Sequence, residues 1–364
     1  MKIAFYGSSL LSSYWNGAAT YYRGLIRALA EQGCETVFFE PDAHGRQQNR
    51  DMDPPDWCDV RVYDATPRAT EEAVACAGAA DIVVTASGVG VFDDILLQRT
   101  MDAAAPHALR IWWDVDAPAT LAEITASPEA PLRRCLPHLD AVLTYGGGES
   151  VVKDYLALGA RRCEPVYNAL DPASHFPVPP DPRFRADLAF LGNRLPDREA
   201  RVRAFFSEPA RRAPDRRFLL GGSGWEAGDL PGNVSVLGHV ASRDHNAFNV
   251  TPLAVLNINR DSMAQRGFSP ATRIFEAAGA GACLISDEWP GMEMFLQPGW
   301  EVLIARDGED VLGLLEWLTP ERARAIGEAA RARILAEHTY DRRARQVLGL
   351  FEQLRAQRCE AVPA

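Results

Sequence analysis

Short apolar runs alternate with longer amphipathic stretches along the first half of the chain. Lys2 to Tyr6 is an apolar run that ends at a glycine, and Thr20 to Gln32 repeats apolar residues at helical spacing before Gly33. Strands that alternate with helices of about 10–15 residues are typical of βαβ units, so this half predicts a parallel, doubly wound sheet. Its further predicted strands are Glu35–Glu40, Asp81–Thr85, Leu109–Trp113 and Ala141–Thr144.

A proline-rich segment then interrupts the alternation. Residues 171–182 contain five prolines, which disfavour both helix and strand and indicate a stiff connector. After residue 320 the chain becomes polar and helical as far as Gln357. Between these segments the predicted strands are Leu188–Leu191, Phe218–Leu220, Val234–Leu237, Ala254–Ile258, Ala282–Ser286 and Val302–Ile304.

The length of 364 residues exceeds what one ordinary core accommodates, so the pattern predicts two Rossmann-like domains. We place the first at residues 1–172, a linker at 173–184, the second at 185–338, and a terminal helix at 339–364. Two doubly wound domains face each other across a cleft in this interpretation. Ligands of open α/β sheets bind at the carboxyl ends of the strands, so candidate chemistry is sought there.

Composition narrows the class of protein. Hydrophobic residues make up 47% and charged residues 24%, as in soluble globular proteins, and a net charge of −11 disfavours nucleic acid or anionic membranes as partners. No run of about 18 apolar residues predicts a membrane span, and the amino terminus lacks signal-peptide features. The seven scattered cysteines contain no Cys-x-x-Cys pair. We therefore expect neither a zinc site nor a disulfide framework, and a reducing, cytoplasmic location.

The segment from Phe268 to Asp287 carries the strongest candidate site. Ser269 is an N-cap residue type, the following proline suits the first helical position, and Gly279 and Gly281 end the predicted helix. Arg273 and Glu276 are three residues apart and share a helix face. A helix amino terminus with an arginine and a carboxylate behind it can hold a diphosphate and a ribose. The alternative is a surface ion pair worth about 0.2–0.5 kcal/mol.

Three other strand ends of the second domain carry glycines, arginines or other polar residues that could contact a ligand. Each has a structural alternative, namely a solvated arginine turn, a tight turn with a packed tryptophan, or buried hydrogen bonds between asparagines. Together they indicate a pocket for an anionic nucleotide. The candidates are Gly192, Arg194 and Arg198 after the first strand, Gly222, Gly224 and Trp225 after the second, and Asn257, Asn259 and Arg260 at the fourth.

The first domain offers candidates for the other substrate. Asp114 and Asp116 follow a predicted strand, and a carboxylate there could act as a base, although either could instead cap the next helix. The histidines at 175, 239 and 245 lack ligand spacing, and we expect no metal site. Two further loops of the first domain are candidates for binding the acceptor or the donor phosphates. They are the loop after the first strand and the loop that begins at Tyr145 and continues with three glycines. Their candidate residues are Ser8, Ser9, Trp15, Asn16, Gly17 and Tyr145.

Five motifs taken in order resemble the spore maturation protein CgeB family. They are Phe190-Leu-Gly, Gly222-Ser-Gly-Trp, Leu256-Asn-Ile-Asn, Arg273-Ile-Phe-Glu-Ala-Ala-Gly-Ala-Gly and Glu293-Met-Phe-Leu-Gln-Pro-Gly. The resemblance covers about residues 185 to 310 and is diffuse in the first half. That family belongs to the glycosyltransferases of the two-domain GT-B fold.

The resemblance implies roles for individual residues. It implies that Glu276 binds the ribose hydroxyls of the nucleotide and that Arg194 and Arg198 bind the diphosphate. The spacing of these two basic residues is one residue shorter than in the common pattern. Phe268 stands where many retaining members carry a glutamate that contacts the donor sugar. The first domain would then supply the acceptor side, the second would bind the nucleotide sugar, and the last helix would cross back to the first domain.

The function expected from these observations is metal-independent sugar transfer from a nucleotide-diphosphate sugar to the hydroxyl of a small-molecule, glycan or protein acceptor. No cofactor beyond that co-substrate is expected. Two alternatives remain open, a nucleotide-sugar 2-epimerase on the same scaffold and a non-catalytic protein that binds nucleotide sugars. The missing glutamate at Phe268 favours the second of these.

Overall fold

A computed structural model describes residues 1–14, 16–226, 228 and 230–361 of the chain, so Trp15 lies outside the described residues. The chain forms two compact units. The first contains Met1–Tyr167 and resumes at Tyr340, and the second contains Asn168–Thr339. The chain therefore enters and leaves the second unit at adjacent points, where Leu170 donates its N–H to the carbonyl of His338 (2.8 Å).

The first unit is built on a parallel sheet of seven strands among the described residues, in the order β3-β2-β1-β4-β5-β6-β7. The sequence did not predict β3 and β7, because β3 is a largely exposed edge strand with few apolar residues and β7 has only three residues. The strands are β1 Lys2–Tyr6, β2 Glu35–Asp42, β3 Asp59–Asp64, β4 Ile82–Ala86, β5 Leu109–Asp114, β6 Ala141–Thr144 and β7 Cys163–Pro165. The helices are α1 Ala19–Glu31, α2 Pro67–Val74, α3 Asp93–Ala103, α4 Ala117–Ala126, α5 Pro131–Cys135, α6 Gly148–Ala157 and, at the end of the chain, α14 Tyr340–Ala361.

The second unit has a parallel sheet of six strands within the described ranges, in the order β10-β9-β8-β11-β12-β13. All six were predicted, with ends within two residues of those observed, and the doubly wound fold class is confirmed. The strands are β8 Leu188–Leu191, β9 Phe218–Gly221, β10 Val234–Gly238, β11 Ala254–Asn257, β12 Leu284–Asp287 and β13 Leu303–Ala305. The helices are α7 Pro196–Val202, α8 Glu208–Arg212, α9 His245–Val250, α10 Asp261–Arg266, α11 Thr272–Ala280, α12 Gly308–Trp317 and α13 Pro320–Glu337.

The proline-rich segment lies on the second unit. It contains no strand or α-helix among its described residues, and a single 3₁₀ turn, Pro182–Phe184, precedes β8. The N–H of Asp181 donates to Thr251 Oγ1 (2.9 Å), and Asn246 Nδ2 donates to the carbonyl of Ser174 (3.0 Å). These bonds hold the segment against the region of α9, which brings His175 into the second unit.

The last helix, α14, belongs to the first unit and packs on α1. Tyr340 is 3% exposed, and its ring lies over Gly24 of α1 so closely that a Cβ at Gly24 would be 2.2 Å from the ring. The side chain of Gln32 donates to Asp341 Oδ1 (3.0 Å), and Arg343 Nε donates to the carbonyl of Tyr167 (3.1 Å). A glycine at position 24 is therefore what allows the two helices to approach.

Two further properties bear on the expectations from composition. Within the described part of the chain, no helix has both the length and the apolar character needed to span a membrane. The cysteines whose side chains are described, at positions 34, 58, 76, 135, 163 and 283, all carry free thiols. Five of those six thiols are buried, so they act mainly as small apolar core residues.

We expect Gly24→Ala to destabilise the protein by about 1–3 kcal/mol, because the added methyl group would overlap the Tyr340 ring and force α14 away from α1. Gly349→Ala in α14 is the matched control, since a Cβ there meets no atom within 4 Å. That control should be neutral or stabilising by up to about 1 kcal/mol through helix propensity. Urea unfolding of both variants measures the difference, and equal effects would contradict the packing described.

Candidate functional site

Two arginines of the second unit lie against one buried aromatic ring. Arg198 is in the first turn of α7, directly after β8, and Arg273 is in the first turn of α11. Their Cζ atoms are 5.5 and 5.2 Å from the centroid of the Phe190 ring, which is fully buried. Both guanidinium groups therefore meet near the carboxyl end of β8.

The positive charge at this point is poorly compensated. Burial, followed by the charge of Arg260, lowers the pKa of Arg198 to about 10. Burial, followed by the charge of Arg198, lowers the pKa of Arg273 to about 10 as well. Among the described residues neither arginine has a carboxylate within ion-pair distance, and Nε of Arg198 is buried without a hydrogen-bond partner. Such a pair is suited to a bound anion with several oxygen atoms.

The neighbouring carboxylates are engaged with other arginines. Asp197 accepts hydrogen bonds from Arg260 Nε (2.9 Å) and Ser262 Oγ (3.0 Å), and the fully buried Asp287 pairs with Arg201 (2.7 Å). The acidic residues close to the site therefore compensate the charges of Arg198 and Arg273 only in part.

The resemblance assigned the basic pair to Arg194 and Arg198, and the structure places Arg194 apart from Arg198. Arg194 Nη2 donates to Glu199 (2.6 Å), and its Cζ lies 6.0 Å from the centroid of the Trp225 ring. Arg273 instead shares the Phe190 ring with Arg198. Sequence spacing could not show this, because Arg273 lies 75 positions further along the chain and reaches the ring only through the fold.

The glycine loops after β8 and β9 fit against each other. A Cβ at Gly222, whose φ is +118°, would lie 2.2 Å from the carbonyl oxygen of Gly192, and Trp225 Nε1 donates to that same oxygen (2.7 Å). Gly224 also has a positive φ, +87°. At Gly192 itself a Cβ would lie 2.8 Å from Arg198 Nη2. These glycines permit the close contact of two loops and the placement of Arg198, and the half-buried indole is held to the first loop through its Nε1.

Asn257 and Asn259 form the buried hydrogen bonds that were one of the two interpretations of this motif. β11 ends at Asn257, and both side chains are at most 2% exposed. Asn257 Nδ2 donates to Ser286 Oγ (3.0 Å) and lies 3.3 Å from Asn259 Oδ1, while the N–H of Asn259 donates to Asp287 (3.0 Å). This network fixes the loop between β11 and α10.

The start of the helix at Ser269 was predicted wrongly. α11 begins at Thr272, and its N-cap residue, Ala271, has no capping side chain. Ser269 is 2% exposed, and its hydroxyl donates to the carbonyl of Gly267 (3.0 Å) because the chain turns sharply at Phe268, whose φ is +49°. The aromatic ring of Phe268 packs over Gly291, where a Cβ would lie 2.3 Å from it. Of the two glycines predicted to end the helix, Gly281 is the C-cap residue, with φ of +84°, and Gly279 lies inside the helix.

Glu276 lies one turn after Arg273 on α11, and two histidines accompany it. Its Oε1 is 3.8 Å from His175 Nε2, and the side chains are 18% and 11% exposed. His245 begins α9 and places Nε2 3.2 Å from the carbonyl of Val240. Burial lowers the pKa of His245, and the charge of Glu276 opposes that shift. In the sequence analysis each histidine was considered alone. The cluster could not be predicted, because its members are far apart along the chain.

In the first unit, Asp114 is a structural residue and not the exposed base that was one interpretation. Its carboxylate is fully buried and accepts hydrogen bonds from Ser87 Oγ (2.8 Å), Thr120 Oγ1 (3.0 Å) and the hydroxyl of Tyr155. Burial raises the pKa of Asp114, and those donors oppose the rise. Asp116 is half-buried and occupies the N-cap position of α4 without a capping side-chain bond.

The loop after β1 is organised around a carboxylate that the sequence did not single out. Glu40, at 0% exposure, accepts hydrogen bonds from Ser9 Oγ (3.0 Å) and from the backbone N–H of Leu10 (2.5 Å) and Leu11 (3.3 Å). These amides are therefore occupied by an internal anion. Of the remaining predicted residues, Ser8 and Asn16 are buried and share a hydrogen bond (3.0 Å), and Gly17 is exposed. The ring centroid of Tyr145 is 5.6 Å from that of Tyr21.

We expect Asp114→Ala to lower the free energy of unfolding by about 2–4 kcal/mol, because Ser87, Thr120 and Tyr155 would keep buried hydroxyl groups without their acceptor. Asp116→Ala, two positions away and partly exposed, is the control and should change stability by less than about 1 kcal/mol. Chemical denaturation tests both variants. A fully stable Asp114→Ala protein would contradict a structural role.

The described geometry agrees with comparisons to known proteins. Residues 198–349 match a family model described as glycosyl transferase-like. No curated protein matches the chain at a significant level. Among solved structures, sucrose-phosphate synthase from Thermosynechococcus elongatus is 14% identical with a TM-score of 0.71, over 98% of this chain and 100% of that one.

Two further structures are similar along their whole lengths. Alr3699/HepE of Anabaena, solved in complex with UDP and glucose, is 13% identical with a TM-score of 0.66, over 97% of this chain and 100% of that one. AviGT4, a glycosyltransferase involved in avilamycin A biosynthesis, is 16% identical with a TM-score of 0.62, over 98% of each chain. At these identities the similarity establishes the fold. The two doubly wound units have the GT-B fold of these proteins, and residues 198–349 are similar to the glycosyl transferase-like family.

Proposed function

We propose that this protein transfers a sugar from a nucleotide-diphosphate sugar to an acceptor hydroxyl. The observation that carries the proposal is the pair of poorly compensated guanidinium groups of Arg198 and Arg273, the second of which is one helical turn from the carboxylate of Glu276. Cations for a diphosphate and an acceptor of hydrogen bonds for a ribose thus lie in the glycosyl transferase-like domain.

Arg198 and Arg273 would hold the diphosphate and stabilise it as the leaving group. Negative charge develops on the diphosphate as the bond to the sugar breaks, and donors already fixed around it lower that barrier. The amino terminus of α11, which has no side-chain cap, adds its partial positive charge at the same place. We infer that this arrangement works without a metal ion at the diphosphate.

Glu276 would accept hydrogen bonds from the ribose hydroxyls, as its place in the motif resembling the CgeB family implies. Its partial exposure and its position on the same face as Arg273 support this role. Alr3699/HepE has been solved in complex with UDP-glucose, which makes UDP the first nucleotide to test. We also propose that the protein belongs to the CgeB-like group.

The acceptor is assigned to the first unit, and Asp116 is the remaining candidate for its base there. Asp114 is fully buried and holds three side-chain donors, which argues against a role in proton transfer. In the second unit, Phe268 packs over Gly291 where related retaining enzymes carry a glutamate. Release of sugar or UDP from UDP-sugars by the purified protein distinguishes a transferase from a non-catalytic binder, which would bind without turnover.

We expect Arg198→Met and Arg273→Met each to weaken UDP binding by about 10- to 100-fold, because each removes a charge-assisted contact worth about 1.5–3 kcal/mol. Isothermal titration calorimetry with UDP measures the loss. Arg211→Met is the matched control, since Arg211 is an exposed arginine of the same unit paired with Glu208, and it should bind UDP normally.

Without nucleotide, Arg273→Met should be more stable than the wild type by about 1 kcal/mol or more. A pKa lowered to about 10 means that the folded protein disfavours the charged form, so a neutral side chain that still packs on Phe190 relieves that cost at neutral pH. The advantage should shrink as the pH rises through 10. Thermal unfolding without ligand tests this, and a destabilised variant would mean that the charge has a partner in the free protein.

The ribose assignment is tested by a double-mutant cycle between the protein and the ligand. Wild type should bind 2′-deoxy-UDP about tenfold more weakly than UDP, because a hydrogen bond to the charged Glu276 is lost. Glu276→Ala should bind both nucleotides equally weakly. If the variant still discriminates between them as the wild type does, Glu276 does not hold the ribose.

A further inference from the structure

Three side chains with metal-binding groups converge on the second unit from three separate segments. His175 lies in the proline-rich segment, His245 at the start of α9, and Glu276 on α11. One donor atom from each lies within 4.8 Å of the others, and Glu276 Oε1 is 3.8 Å from His175 Nε2. Among the described residues, these three side chains are close enough together to hold a metal ion.

The surroundings of His245 prepare it for a ligand role. Its Nε2 lies 3.2 Å from the carbonyl of Val240, a geometry that requires the proton on Nε2 and leaves the lone pair on Nδ1. Histidines that bind metals usually donate their other ring N–H to a carbonyl or carboxylate, which fixes the tautomer. Here a backbone carbonyl performs that function.

Small movements would complete a coordination shell. Ligand bonds of about 2.0–2.2 Å place the donor atoms of a tetrahedral zinc site about 3.3 Å apart, somewhat less than the separations observed. The side chains of His175 and Glu276 are 11% and 18% exposed, so they are not locked by packing on all sides. Two imidazoles and one carboxylate form a ligand set known from zinc sites that keep a fourth, open position.

The nearby charges select the class of metal. Arg273 precedes Glu276 by one turn and opposes any cation at this point. Hard ions such as Mg²⁺ and Ca²⁺ depend on several negatively charged oxygen ligands, and only one is present. Imidazole nitrogens favour borderline transition metals, whose binding depends less on net charge.

We propose that His175, His245 and Glu276 form a binding site for a transition-metal ion of the zinc class. The site is separate from the arginines proposed for the diphosphate, although it shares Glu276 with the ribose assignment. A metal ion bound there would be coordinated by the two histidines and by one oxygen of the Glu276 carboxylate. One coordination position would remain for water. The inference does not require that the protein bind a nucleotide.

Titration of the nucleotide-free, full-length protein with Co²⁺ tests the proposal, because Co²⁺ replaces Zn²⁺ and its visible absorption reports the ligands. The wild type should develop a saturable visible band at one equivalent, and added Zn²⁺ should abolish it. His175→Ala, His245→Ala and Glu276→Gln should each weaken Co²⁺ binding by about tenfold or more. His239→Ala is the matched control, since His239 is an exposed histidine of the same unit outside the cluster, and it should titrate as the wild type does.

Three results would overturn the proposal. These are the absence of a saturable band in the wild type, a band that survives both histidine substitutions, and intense near-ultraviolet absorption typical of cysteine thiolate ligands. Circular dichroism and thermal unfolding of each variant separate lost ligands from lost folding, and Glu276→Gln keeps the shape of the side chain if a histidine variant fails to fold. Because the readout contains no nucleotide, its failure is distinct from a failure of the proposed transferase function.

Discussion

The site in the second unit depends on two guanidinium groups that lie against one buried ring, where no carboxylate of the described residues forms an ion pair with either group. Phe190 gives both arginines an apolar surface, and α7 and α11 bring Arg198 and Arg273 to it from separate segments of the chain. Burial of these charges costs stability in the free protein, as the lowered pKa values of both side chains indicate. Such a cost is typical of functional sites, where buried charges are retained for their role and not for stability.

The loops around this and the equivalent edge of the first sheet are held by buried carboxylates. Glu40 follows the centre of β2, Asp114 ends β5 and Asp287 ends β12, and each is fully buried. Each accepts at least one backbone N–H from the loop beyond a strand, from Leu10, from Asp116 and from Asn259 respectively. These three buried carboxyl groups fix the carboxyl edges of both sheets, so that the residues exposed there keep a defined geometry.

The first and second units differ in how far their chemistry could be predicted. In the second unit the motif around Glu276 has a local cause, because a helix places residues three apart on one face. In the first unit the two aspartates of one strand end looked equivalent in sequence. Their environments differ in the structure, because Asp114 is buried and accepts hydrogen bonds from Ser87, Thr120 and Tyr155, which come together only when the sheet forms. The same applies to Ser269, whose hydroxyl turns back to Gly267 instead of capping α11.

By itself the sequence determined the periodic features of this protein: the alternation of strands and helices, the fold class, and the face shared by Arg273 and Glu276. These follow from local hydrophobic spacing and helix geometry, which act within a few residues. Only the tertiary structure decided which partners meet across tens of residues. It joined Arg273 to Arg198 at Phe190, joined His175 and His245 to Glu276, and buried the carboxyl group of Asp114. Pairing and burial depend on contacts between distant segments, and no local pattern encodes them.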